Sequence, residues 1–227
     1  MDANQKGWAI LETLFEVLER GHVFERRRKS SLAKALAVYS YHFGLSLRRT
    51  SQLVSFLEPA SHESVRKWYR RLGGAIPPAQ RKRRSIVAID ETKLKICGNQ
   101  FFIWAAIDVH SREVFALGVS SGRTDLEAMG FLRKVFSLCA GEPIFLVDRG
   151  PWYEKAFKRM GVRFQRMTHG LRNSIEQWFG LLKSRTKRFH NSFPHRSSIH
   201  STRSWTDAFR NIYQLDRRIV QLEEVLS

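Results

Sequence analysis

SIVAIDETKLKICGNQFFIWAAIDVHSREVFALGVS, residues 85–120, reads as three strands in succession. The continuous apolar run at 85–90 predicts a buried strand, and the β-branched and aromatic residues at 100–109 and 113–120 predict two more, joined around His110-Ser111. Connections this short make the three an antiparallel meander. Downstream, 124–140 has helical periodicity, PIFLVD (143–148) is another buried strand, 152–160 is helical, 162–167 is a short strand and 171–189 a long helix. The resulting order, βββαβαβα, is the ribonuclease-H-like layout, an α/β fold around a mixed sheet.

Upstream of residue 73 every segment has helical periodicity. A nearly all-round apolar helix is expected at 30–43, a second at 46–57 with Leu47, Val54 and Leu57 inward, and a third at 61–72 capped by Ser61. In the third, Val65, Trp68, Tyr69 and Leu72 fall at i, i+3, i+4 and i+7 and form the inward stripe, which leaves Arg66, Lys67, Arg70 and Arg71 together on the opposite face. Two helices joined by a short turn, the second basic, predict a helix-turn-helix over about 46–72, with Ser64, Arg66, Lys67 and Arg70 placed to read DNA. Gly73-Gly74-Ala75-Ile76-Pro77-Pro78 and the basic run Arg81-Lys82-Arg83-Arg84 read as a linker.

The charge balance narrows the partner. Thirty-nine Lys and Arg against 21 Asp and Glu give a formal charge of +18, a field that favours capture of polyanions. No apolar run approaches the roughly 20 residues that span a bilayer. Residues 1–29 alternate apolar and acidic positions at helical spacing, unlike a signal peptide. A cytoplasmic, nucleoid-associated protein is expected. The hydrophobic content of 43% and six Trp argue for a packed core, and Cys97 and Cys139 form neither a disulfide framework nor a zinc set.

Two predicted strands end in aspartate, Asp90 and Asp148. In adjacent central strands these would set like charges within a few ångström, a costly arrangement unless a cation neutralises them. Magnesium suits such a site, being hard and content with one or two carboxylates plus phosphate oxygens. A third carboxylate comes from the long helix, whose apolar stripe is Ile175, Trp178, Phe179 and Leu182. Beside it run Glu176, Gly180, Lys183 and Lys187, the acid toward the sheet rim and the lysines placed to grip phosphates. Arg172 and Asn173 are placed to touch DNA or cap the helix. Glu91 points to the other side of its strand and suits a supporting role, Asp108 suits the turn after its strand, and Asp125 suits a capping turn. His190, His195 and His200 recur every five residues, an interval without metal-ligand precedent. Neither Tyr153 nor Ser174 has the surroundings of an activated nucleophile.

The stretches IDET (89–92), AAIDVHSREVFAL (105–117), VDRGPWY (147–153) and HGLRNSIEQWFGLLKSRTKRF (169–189) resemble the catalytic core of DDE insertion-sequence transposases, the compact co-integrate-forming group of bacteria and archaea. SLRRTSQLV (46–54) and SHESVRKWYRRL (61–72) resemble that family's helix-turn-helix. The resemblance implies that Asp90, Asp148 and Glu176 hold two Mg2+ (or Mn2+) ions. It also implies that the partners are element ends and target DNA, and that the protein acts as a homodimer or higher oligomer. One departure is the spacing from Asp148 to Glu176, 176 − 148 = 28 positions, shorter than is usual in the wider superfamily. The expected division is a helical DNA-binding domain (1–74), a basic linker (75–84), the catalytic domain (85–192) and a C-terminal loop and amphipathic helix (193–227). In that last helix Ile212, Leu215, Ile219, Leu222 and Leu226 form a seam suited to packing on the protein's own core. The alternatives are a DNA-binding derivative without catalysis and a structure-selective nuclease on the same fold.

Overall fold

The computed structural model describes Glu12, Phe15 and Glu19, and residues 29–75, 79–96, 98–167, 170–187, 192–193 and 197–226. Cys97, His190 and His195 lie outside these residues. The chain divides into a helical unit, Met1–Pro77 with Ser204–Ser227, and an α/β unit, Pro78–Arg203.

In the helical unit α1 spans Ser31–His42, α2 Leu47–Val54 and α3 His62–Ala75. Ser30, Ser46 and Ser61 each accept a hydrogen bond from the backbone N–H three residues on, so all three helices start on a serine cap. Val54, Val65, Tyr69 and Leu72 are fully buried between the helices. Four details differ from expectation. Helix α2 stops at Val54, whose carbonyl accepts from both Leu57 and Glu58, so Leu57 lies past the helix and is exposed. Helix α1 is not buried all round, since Leu32 and its C-cap residue Phe43 face solvent. Helix α3 continues through Gly73-Gly74 to Ala75, where the Gly-Pro run predicted a linker; two glycines cost a helix about 1 kcal/mol each relative to alanine, which the packed residues preceding them offset. Trp68 is half-buried, not part of the sealed stripe.

The C-terminal helix α7, Ile199–Leu226, belongs to this unit from Ser204 onward. Trp205 and Phe209 stack at 5.7 Å, the Trp205 indole donates to the Tyr41 hydroxyl at 3.2 Å, and the His42 ring lies 4.9 Å from that of Phe209. Ile212 and Leu215, the first two positions of the predicted seam, are buried.

The α/β unit is built on β2 (Ile86–Ile96), β3 (Asn99–Asp108) and β4 (Val114–Ser120), an antiparallel meander, with β6 (Ile144–Val147) and β7 (Phe164–Arg166) added in parallel on the other side of β2. The sheet order is β4-β3-β2-β6-β7, the ribonuclease-H-like arrangement. Helices α4 (Asp125–Ser137) and α5 (Pro151–Met160) share a core with one face of the sheet, including Val87, Ile89, Phe145 and Val147. Helix α6 (Asn173–Lys187), preceded by the 3-10 turn Gly170–Arg172, follows β7 and completes the predicted order βββαβαβα. Two features were not foreseen. Lys82–Arg83 (β1) pairs in parallel with Cys139–Ala140 (β5), and Ser192–Phe193 (β8) pairs in parallel with Lys95-Ile96 at the far end of β2.

Local chemistry explains the turns. Asp108 accepts from the backbone N–H of His110 and Ser111, which fixes the β3–β4 turn as expected of it. Helix α4 is capped by Thr124 in a box with Glu127, while Asp125 instead pairs with Arg159 at 2.6 Å.

The basic run is structural rather than a linker. The side chain of Arg84 is wholly buried, 3.1 Å from Glu113, 3.9 Å from Asp108 and stacked 3.9 Å above the Phe115 ring, and it also donates to the Leu138 carbonyl. Lys82 pairs with the same Glu113 at 2.6 Å. Removing a buried charge from such a cluster strands its partners, so Arg84→Met should cost about 3–5 kcal/mol, measured as a lower urea midpoint at neutral pH.

Candidate active site

The β2–β6 ladder sets the site. Ile86, Val87 and Ala88 register against Ile144, Phe145 and Leu146, and the pairing then stops because β6 ends at Val147. Two positions beyond the last pair, Asp90 and Asp148 stand in corresponding places, on the face opposite the Val87–Ile89 core because side chains alternate along a strand. Asp90 does not end its strand as expected. It lies midway along the eleven residues of β2, opposite Ala105 of β3, and only the side facing β6 is open there. Among the described residues, that edge is next paired where β8 joins at Lys95.

Asp90 is held at both oxygens. Oδ1 accepts from the Glu91 N–H at 2.9 Å, and Oδ2 pairs with Arg172 Nη2 at 3.1 Å. Burial pushes its carboxyl up to about 6, against the pull of Arg172 and the Glu91 N–H, with the charges of Glu91 and Asp148 adding to the rise. Asp148 Oδ1 accepts from Gly150 N–H at 2.8 Å. A Cβ on Gly150 would stand 2.6 Å from the Trp152 indole and 2.9 Å from that same Oδ1, so no other residue fits between strand end and helix without moving one of them. Gly150→Ala should therefore lower metal-dependent turnover by roughly 100-fold, on the scale of a misplaced reacting group, read in an initial-rate assay.

Glu91 takes the supporting place expected of it, while Tyr153, Arg123 and Trp152 carry roles that their sequence context did not reveal. Glu91, almost fully buried, accepts from the Tyr153 hydroxyl at 2.5 Å and pairs with Arg123 at 3.4 Å. The Arg123 guanidinium lies 4.2 Å above the Trp152 ring and 5.3 Å from that of Phe102. Burial is the largest cause raising the Glu91 carboxyl, and burial followed by the nearby carboxylates raises the Tyr153 hydroxyl. A buried tyrosine on VDRGPWY three residues after the glycine was the available signal.

The predicted triad is only partly assembled. Asp90 and Asp148 are brought together, but Glu176 sits exposed on the first turn of α6, and among the described residues no three His, Cys, Asp or Glu side chains gather closely enough to hold a metal ion. The charge that pairs with Asp90 comes instead from Arg172. Placed among the DNA contacts by its sequence, it is instead buried, with Nη1 on the Met167 carbonyl at 3.0 Å and Nη2 supplying the positive charge Asp90 needs. The donor set still fits a hard divalent cation: two oxygen ligands on one face, a carboxyl held ionised only against its burial, and a third carboxylate free to turn in from solvent. Asn173, Lys183 and Lys187 are exposed along α6, and the space over Gly180 is open.

On α3, Lys67 and Arg71 are exposed and Arg66 and Arg70 partly so. Arg66 pairs with Glu63, and the Ser64 hydroxyl lies 3.0 Å from that of Ser61. The basic face is thus presented on one side of the helix, with Ser64 tied into its cap.

Residues 84–216, more than half of the chain, match the family model for the DDE domain of IS240-type transposases. The chain belongs to the DDE transposase family. A curated relative of this transposase, the protein MJ0017 of Methanocaldococcus jannaschii, is 38% identical over 203 residues, 89% of this chain and 95% of that one. A protein of Aquifex aeolicus is 43% identical over 54 residues, 24% of this chain and 45% of that one. Among solved structures, the catalytic core domain of BIV integrase matches with a TM-score of 0.40 and 17% identity, over 55% of this chain and 80% of that one. The catalytic core domain of HTLV-2 integrase in complex with magnesium matches with 0.38 and 18%, over 54% and 83%. The fold of the transposase rests on its strand order, not on these scores.

Proposed function

We propose that this transposase binds the ends of an insertion sequence through α2 and α3 and carries out metal-dependent cleavage and strand transfer at Asp90, Asp148 and Glu176. The observation that supports it most is the corresponding placement of Asp90 and Asp148 where the β2–β6 ladder opens, inside the matched DDE domain. Asp90 and Asp148 would hold two Mg2+ or Mn2+ ions from the sheet, with Glu176 of α6 as the third ligand. Bound there, such ions supply Lewis acidity to the attacking and leaving oxygens of an in-line displacement. Arg172 steadies Asp90, and Lys183 and Lys187 meet the DNA backbone beside Asn173. Ser64, Arg66, Lys67, Arg70 and Arg71 face the element ends. Two ends must be joined, so a homodimer or higher oligomer acts on element ends and target DNA.

The test uses duplexes carrying the short inverted repeats that flank this reading frame, incubated with the full chain and Mg2+, with products resolved on a denaturing gel. Joined products longer than the input are expected. Cleavage without joining would make the protein a nuclease of this fold, and end binding without either would leave a DNA-binding derivative.

A further inference from the structure

We propose that Glu91 and Tyr153, clamped by Arg123, are positioning residues that set the separation of Asp90 from Asp148. This rests on the reading of those two aspartates as metal ligands.

Backbone pairing between β2 and β6 ends at Ala88 and Leu146, so no ladder hydrogen bond spans the gap at the level of the two aspartates. Among the described residues, Asp148 is held from its own side, by Gly150 N–H. Two like-charged groups placed there repel. The first tie beyond the end of the ladder is the hydrogen bond from Tyr153 to Glu91, which joins the residue after Asp90 to the first turn of the helix that follows Asp148. Arg123 closes the tie from the β4–α4 connection, held in place by its stack on Trp152, whose ring in turn abuts Gly150. Glu91 and Tyr153 lie on the sheet face opposite the aspartates, so the hydrogen bond between them acts on the pair through the backbone; Tyr153→Phe removes that bond while leaving in place the Glu91 charge that Asp90 feels. The Tyr153 ring is fixed edge-on against Trp104, at 5.8 Å, and the ring sits in the α4–α5 core. The arrangement is therefore rigid, and what it transmits is distance.

The test is Mn2+ binding by the full chain, with free Mn2+ counted by electron paramagnetic resonance. Tyr153→Phe keeps the ring and removes the tie; Glu91→Gln weakens it from the other side; Arg123→Gln loosens the half-exposed clamp if either of the first two fails to fold. Half-saturating Mn2+ should rise about tenfold for Tyr153→Phe and for Glu91→Gln, the scale of losing a group that orients a ligand, and the double variant should be no worse than the worse single. Lys82→Met removes the 2.6 Å ion pair with Glu113 in the same unit, away from the tie. It should lower the melting midpoint and leave Mn2+ binding unchanged. Binding within twofold of the parent in folded tie variants, while Asp90→Asn loses it, would overturn the positioning role alone. Unchanged binding in Asp90→Asn would overturn the metal site and this role with it.

Discussion

Asp90→Asn should abolish Mg2+-dependent cleavage, by roughly 10⁴-fold, the scale seen when one member of a cooperating catalytic set is removed, while making the metal-free protein more stable at neutral pH. The two effects have one cause. Burial and the charges of Glu91 and Asp148 raise the carboxyl of Asp90 from an ordinary value near 3.8 to about 6, more than Arg172 and the Glu91 N–H can lower it. Between those values the unfolded chain has lost the proton and the folded chain keeps it. The folded state then binds more protons, so its stability falls as pH rises from about 4 to about 6 and stays lower above that. Asparagine mimics the protonated form at every pH. The gain should reach at most about 3 kcal/mol at pH 7, from roughly two pK units at 1.36 kcal/mol each, and vanish near pH 4. Urea titrations of both proteins at pH 4, 5, 6 and 7 without divalent ions check this. A variant less stable than the parent at pH 7 would mean that Asp90 is content in its site, and the case for a cation there would lose its electrostatic support.

How far these features could be read in advance depended on whether one segment or several decide them. The apolar runs 85–90 and 143–148 read as strands because each is a continuous apolar stretch, a local property, and all but their first strand residues, Ile86 and Ile144, are buried up to the trailing aspartates. That Asp90 is mid-strand was hidden by ETKLKI, whose polar alternation looks like a loop start until β3 is laid beside it. Arg84 and Arg172 were misplaced for a shared reason: a basic residue signals surface or DNA unless its buried acid is known, and Glu113 and Asp90 are distant in sequence. The glycines at 73 and 74 signalled a break, but Val65, Tyr69 and Leu72 pack the preceding helix firmly enough to carry it past them. The β8 strand is two residues long, below any periodicity. The Glu91–Tyr153 tie spans 62 positions and joins residue types common in any sheet and helix.

Glu176→Gln should separate the two effects: cleavage reduced as severely as by Asp90→Asn, with folding stability changed by no more than about 1 kcal/mol. Glu176 is exposed on the first turn of α6, so its charge is solvated, and losing it removes only a modest interaction with the positive end of the helix. Its sequence distance from Arg172 is 176 − 172 = 4, which sets the two about one turn apart on one helical run. A shift of its carboxylate toward the rim therefore brings it to the group that already grips Asp90. A divalent ion favours that shift, since it adds positive charge where the carboxylates converge. Three measurements on one variant separate the possibilities: a denaturation curve, Mn2+ binding and a cleavage rate. An exposed glutamate with no part in the chemistry would leave all three unchanged. One that completes the metal site leaves the first nearly alone, weakens the second and removes the third.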